Sequence, residues 1–159
     1  MLNYVRRGSG EPLVLVHGFL GSKDIFEGVT ERLEQQYDVI SVELPGHGNS
    51  EMEKDAYSVY DYADEVIDVL KHEGIQEVNW LGHSLGGYIT LAVLETKRFP
   101  IKRAILAYSS ASPDDVEAKQ KRDQQAQYIK ANGVDAFVDS VIENFFAKDA
   151  TQQAIDVAR

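Results

Sequence analysis

Residues 79–89 read NWLGHSLGGYI, and they place one serine, Ser84, between Gly82 and Gly86. Residues 77–82, EVNWLG, read as a short strand ending in an apolar stretch. From about residue 85 to 97 the pattern is helical. Ser84 therefore sits at a strand-to-helix turn, in the arrangement G-x-S-x-G. Such a turn forces the serine into a strained backbone conformation, and glycines two residues either side let neighbouring chain approach without a Cβ clash. The serine oxygen is lifted clear of the sheet and set at a helix N-terminus. There the Leu85 N–H and the helix dipole favour a developing oxyanion. A chance Gly-Ser-Gly turn is the alternative, and the flanking strand, the helix and Gly87 weigh against it.

Outward from this point, strand and helix alternate. Strands are expected at residues 2–7, 12–18, 37–44, 77–82 and 102–110. Helices are expected at 22–36, 58–73 and 85–97. In the first helix Ile25, Phe26, Val29 and Leu33 are at helical spacing. In the second, Ser58 and Asp61 form a capping-box pattern, and Val59, Ala63, Val66, Ile67 and Leu70 form the apolar stripe. Gly74 reads as its stop. Units of roughly 30 residues predict an α/β fold: a mostly parallel sheet wrapped by helices. The opening strand lies too close to the next for a helical crossover, so it is expected to pair with it as an antiparallel hairpin. Beyond residue 111 the alternation stops. A polar helix is expected over 112–132, capped by Ser112 with Pro113 in its first turn. An amphipathic helix at 133–148 carries Phe137, Val138, Val141, Ile142 and Phe145, and a short helix ends the chain.

The chain has 159 residues, enough for one domain with a sizeable core. With 43% hydrophobic and 26% charged residues, it has the composition of a globular protein. Net charge is −10, which repels nucleic-acid backbone and anionic lipid and predicts neither as a partner. There is no cysteine, so disulfides and thiolate metal sites are excluded. The first residues carry no signal-peptide pattern, and the protein is expected to be cytoplasmic.

Three further segments bear on chemistry. His17-Gly18-Phe19 ends the first parallel strand, and strand carboxyl ends line the crevice of such a sheet. This loop can bring the Phe19 N–H toward Ser84 as a second oxyanion donor. His17 reads as a fixture of the loop rather than as a base. Residues 44–50, LPGHGNS, could be read as phosphate-binding, but no lysine follows the glycines, and a tight turn on the crevice rim fits better. His72, in the last turn of a helix, suits the dipole and reads as surface.

Taken together, LVLVHGFLGS, LPGHGNS and LGHSLGGYITL resemble three blocks of the α/β-hydrolase fold superfamily, in its order and over residues 12 to 92. The resemblance implies that Ser84 is the nucleophile and that Phe19 and Leu85 donate the oxyanion-hole N–H groups. It implies a partial hydrolase core over residues 1–111 and an incomplete helical cap segment over 112–159. It also implies a small-molecule substrate with an ester, thioester or similar acyl bond, with no cofactor and no metal.

One departure follows. In this fold the serine is followed by an acid and then a histidine. No histidine follows Ser84 here, although Asp114 and Asp115 stand where some relatives have an acid. His83 is adjacent to Ser84, but side chains on a tight elbow diverge. The chain reads as the front part of a longer hydrolase, cut within its cap and weak or inactive alone. Residues 103–109 are then expected to leave an apolar sheet edge, and that edge or the cap helices predict a homodimer, checked by light scattering. Two readings remain beside the hydrolase: a non-catalytic α/β interaction module, and a lyase or synthase on the same fold.

Overall fold

The computed structural model describes residues 1–158. The chain divides into two compact units, the first Met1–Ala111 and the second from Ser112 onward.

The first unit is built on a five-stranded sheet. Its strands are β1 (Tyr4–Gly8), β2 (Glu11–Val16), β3 (Tyr37–Val42), β4 (Val78–His83) and β5 (Ile101–Ala107). They lie in the order β1-β3-β2-β4-β5. β2 pairs parallel with β3 (Val14 opposite Ile40) and with β4 (Leu15 opposite Leu81), and β4 pairs parallel with β5. Val14, Leu15 and Val16 are fully buried because β2 is covered on both faces and both edges.

The expected β1–β2 hairpin does not form. β1 is antiparallel, but its partner is β3, with Tyr4 opposite Val42. Both edges of β2 are already taken, so the entering strand is passed to the outside of β3. Side chains hold it there: Leu2 is buried in the core, and Arg6 Nε donates to Asp38 Oδ1 at 2.9 Å. At the opposite edge β5 pairs only with β4 among the described residues, and Ile105 and Leu106 are exposed.

Three helices pack on this sheet. Before α1 (Glu27–Leu33) the chain makes a 3₁₀ turn over Lys23–Phe26, which differs from the single helix expected over 22–36. A 3₁₀ turn advances about 120° per residue rather than 100°, so the expected stripe splits. Phe26 is buried, Leu33 packs beside it, and Ile25 and Val29 face solvent. α2 (Val59–His72) follows its pattern. The Ser58–Asp61 capping box is formed, Ala63, Val66, Ile67 and Leu70 are buried, and His72 is exposed. α3 (Leu85–Thr96) buries Gly86, Gly87, Ile89, Thr90, Ala92 and Val93 against the sheet and α2, while Leu94 is exposed.

The second unit is helical: α4 (Val116–Asn132), α5 (Val134–Val141), a 3₁₀ turn (Ile142–Phe145) and α6 (Gln152–Ala158). Ser112 is not the cap of α4. Asp115 is, its carboxylate accepting from Ala118 N–H at 2.8 Å, while Pro113 lies in the irregular stretch before the helix. The Asp115 carboxylate both satisfies a free N–H of the first turn and meets the helix dipole. The helix expected over 133–148 is broken: α5 ends at Val141 and the chain tightens into a 3₁₀ turn. Phe137 and Ile142 are buried, whereas Phe145 is exposed. No described helix is long and apolar enough to cross a membrane.

Candidate active site

β4 ends at His83, α3 begins at Leu85, and Ser84 is the single residue between them. Its backbone is at φ 51° and ψ −111°. A non-glycine residue at positive φ is strained, here by roughly 1–3 kcal/mol. The two motif glycines are demanded by backbone contact. A Cβ on Gly82 would lie 2.1 Å from the Gly86 carbonyl oxygen, and one on Gly86 would lie 2.2 Å from that of Val16. The first lets helix fold back on strand. The second lets the start of α3 press on the end of β2.

That contact brings the His17-Gly18-Phe19 loop to the serine. A Cβ on Gly18 would stand 3.0 Å from Ser84 Cβ and 3.0 Å from His83 Nδ1. Phe19 follows directly, with its side chain about half exposed at 48%. The loop is fixed by His17, which is fully buried. Its Nε2 accepts from the Leu44 N–H at 3.0 Å. The proton therefore sits on Nδ1, which donates to the Gly18 carbonyl at 2.7 Å. Burial pushes the His17 pKa down to about 4, so the ring is neutral at pH 7.

Sequence reasoning missed Glu43. Its carboxylate is almost wholly buried beside the crevice, 2.6 Å from Lys23 Nζ and 2.8 Å from the Asn49 N–H it accepts from. Burial raises its pKa, but Lys23 and Asn49 outweigh this and hold it below the ordinary carboxylate value. The pair ties the 3₁₀ turn after the His17 loop to the glycine-rich loop after β3. A Cβ on Gly48 would lie 2.4 Å from the carboxyl group, so Glu43 fills the loop that a phosphate reading would need empty. A buried carboxylate there repels an anion. The only sequence signal was a charged residue ending an apolar strand before a glycine-rich turn.

Two further histidines, His47 beside the His17 loop and His83 next to the serine in the chain, do not bond to Ser84. His47 Nδ1 donates to the Pro45 carbonyl at 3.1 Å, and its ring lies 5.1 Å from that of His17 and 6.2 Å from that of Phe19. His83 Nδ1 is buried without a hydrogen-bond partner, and its ring meets Tyr108 edge-on at 6.2 Å. Burial lowers the pKa of both. Among the described residues no histidine hydrogen-bonds the Ser84 hydroxyl, and no group of three or more potential metal ligands is assembled. The site thus offers a strained serine at a helix N-terminus, the Leu85 N–H beside it, and a glycine-containing loop pressed against it. This geometry can hold a developing oxyanion. It has no base in place.

A profile of the family described as alpha/beta hydrolase fold matches residues 11–152. (E)-2-((N-methylformamido)methylene)succinate hydrolase of Acinetobacter baylyi is 27% identical over 151 residues, 95% of this chain and 56% of that protein. A thermophilic esterase from Thermogutta terrifontis superposes with a TM-score of 0.84 at 28% identity, over 89% of this chain and 53% of its own. The enol-lactonase from Burkholderia xenovorans LB400 superposes with a TM-score of 0.89 at 22% identity, over 99% of this chain and 61% of its own. That last likeness is one of fold. The chain spans little more than half the length of these proteins.

Proposed function

Because the chain belongs to the α/β-hydrolase fold family, we propose that it carries the nucleophile and oxyanion hole of a serine hydrolase acting on a small-molecule ester, thioester or similar acyl bond. The single observation that carries this reading is the backbone of Ser84, at φ 51° on the turn between β4 and α3. A strained serine costs stability, and a binding surface gains nothing from it. The hydrolase and esterase names of similar proteins support the same class.

In the proposed reaction the Ser84 oxygen attacks the acyl carbonyl while a base takes its proton. The carbonyl oxygen becomes an oxyanion facing the Leu85 and Phe19 N–H groups and the N-terminus of α3. The intermediate collapses to an acyl-enzyme, expelling the alcohol or thiol, and water releases the acid. We assign the base to residues beyond the described site: His17 spends both ring nitrogens on Gly18 and Leu44, and among the described residues neither His47 nor His83 bonds the Ser84 hydroxyl. The shared length with the relatives supports placing the histidine and its acid outside these 159 residues.

A fluorophosphonate probe tests this, with free imidazole as an external base. Slow labelling is expected, accelerated by imidazole and lost in Ser84→Ala. Equal labelling of Ser84→Ala, or none with imidazole in a folded chain, would overturn the nucleophile. Fast labelling without imidazole would overturn the missing base.

A further inference from the structure

We infer that Ser109 is a positioning residue for Ser84, an inference that rests on the nucleophile reading above. Both polar backbone groups of Ser84 are held from the carboxyl end of β5. The Ser84 N–H donates to the Ala107 carbonyl at 3.0 Å. The Ser109 hydroxyl donates to the Ser84 carbonyl at 2.8 Å. That carbonyl also accepts from the Gly87 N–H at 2.9 Å, as the first turn of α3 requires.

Two features mark the contact as built rather than incidental. Gly87 leaves room for it: a Cβ there would lie 2.1 Å from Ser109 Oγ. Between the two anchors, Tyr108 takes φ 48° with its side chain 95% exposed. A bulky residue at positive φ is a true outlier and gains no burial in exchange. The strain sets Ala107 and Ser109 on the same serine, one bonding its N–H and the other its carbonyl. The Gly87 N–H alone leaves the carbonyl satisfied, so Ser109 is not needed to avoid an orphaned group. What it adds is direction: it fixes the peptide plane between Ser84 and Leu85, which aims the Leu85 N–H.

The test compares Ser109→Ala with Thr96→Ala, which loses a like hydroxyl-to-carbonyl bond, to Ala92, at the far end of α3. In Ser109→Ala the Ser84 carbonyl carbon resonance is expected to move upfield, and the Ser84 amide to exchange faster. Imidazole-assisted labelling should slow about fivefold, the loss of one ordinary hydrogen bond, with the half-saturating probe concentration unchanged. Thr96→Ala should lower thermal stability without either change. An unaltered Ser84 resonance and exchange rate in Ser109→Ala overturns the inference. So does an altered resonance with wild-type labelling, or a slowing that Thr96→Ala matches. If the wild-type chain does not label at all, the nucleophile reading fails, and the resonance and exchange data alone decide whether Ser109 holds the turn.

Discussion

Acid should loosen the first unit through one buried side chain, His17. In an unfolded chain its imidazole titrates near 6.5; in the fold burial lowers this to about 4. Between those values the unfolded state binds more protons than the folded one, so stability falls as pH falls. The contribution is complete above pH 6.5, declines through the window and is exhausted below pH 4. The interval is worth about 3 kcal/mol at about 1.4 kcal/mol per pH unit. Protonation would also set a second N–H against the Leu44 N–H, which needs Nε2 as an acceptor. Glu43 adds to acid lability, so the comparison must isolate His17. The partner variant is His17→Gln, uncharged yet able both to donate and to accept. Urea unfolding followed by fluorescence reports the right region, because the single tryptophan, Trp80, is fully buried in the first unit. The stability advantage of wild type over the variant should shrink by about 3 kcal/mol between pH 7.5 and pH 4. An advantage that stays constant across that range would refute the neutral, doubly bonded histidine.

Two further substitutions probe the contacts around the serine. Gly86→Ala inserts a methyl 2.2 Å from the Val16 carbonyl oxygen and should cost about 3 kcal/mol in the same unfolding assay. A loss under about 0.5 kcal/mol would contradict the close approach of α3 to β2. Lys23→Met leaves the Glu43 carboxylate buried and unpaired. It should cost about 3 kcal/mol near neutral pH and less at pH 5, where Glu43 can take up a proton. The same loss at both pH values would contradict a charged Glu43 in the fold.

What the sequence disclosed and what it hid divide along the range of the contacts. The elbow was legible because its pattern lies within five residues: Gly82 lets the helix start lie on the strand end, and Gly86, which answers to Val16 on β2, stands at a fixed spacing from it. α2 was legible for the same reason, with its cap, stripe and stop all carried by neighbours along one helix. The partner of β1 was not, because it depends on which edges of β2 the later strands occupy, a fact of the whole sheet. The start of α1 and the break after α5 turn on small differences between 3₁₀ and α geometry, to which hydrophobic spacing is nearly blind. Lys23 and Glu43 are twenty residues apart, and neither looks unusual until the fold buries Glu43 and brings Lys23 to it. Ser109 shows the same limit most sharply. Nothing in YSSAS separates it from Ser110, yet the parallel register of β5 on β4, with Ala107 opposite His83, carries it to the Ser84 carbonyl. The strained turn that carries Ser84 can therefore be named from local pattern, whereas the residues that hold it come from distant strands brought level by sheet register. On that argument, the places to look for control of Ser84 are the carboxyl ends of β2, β3 and β5, not the residues beside it in the chain.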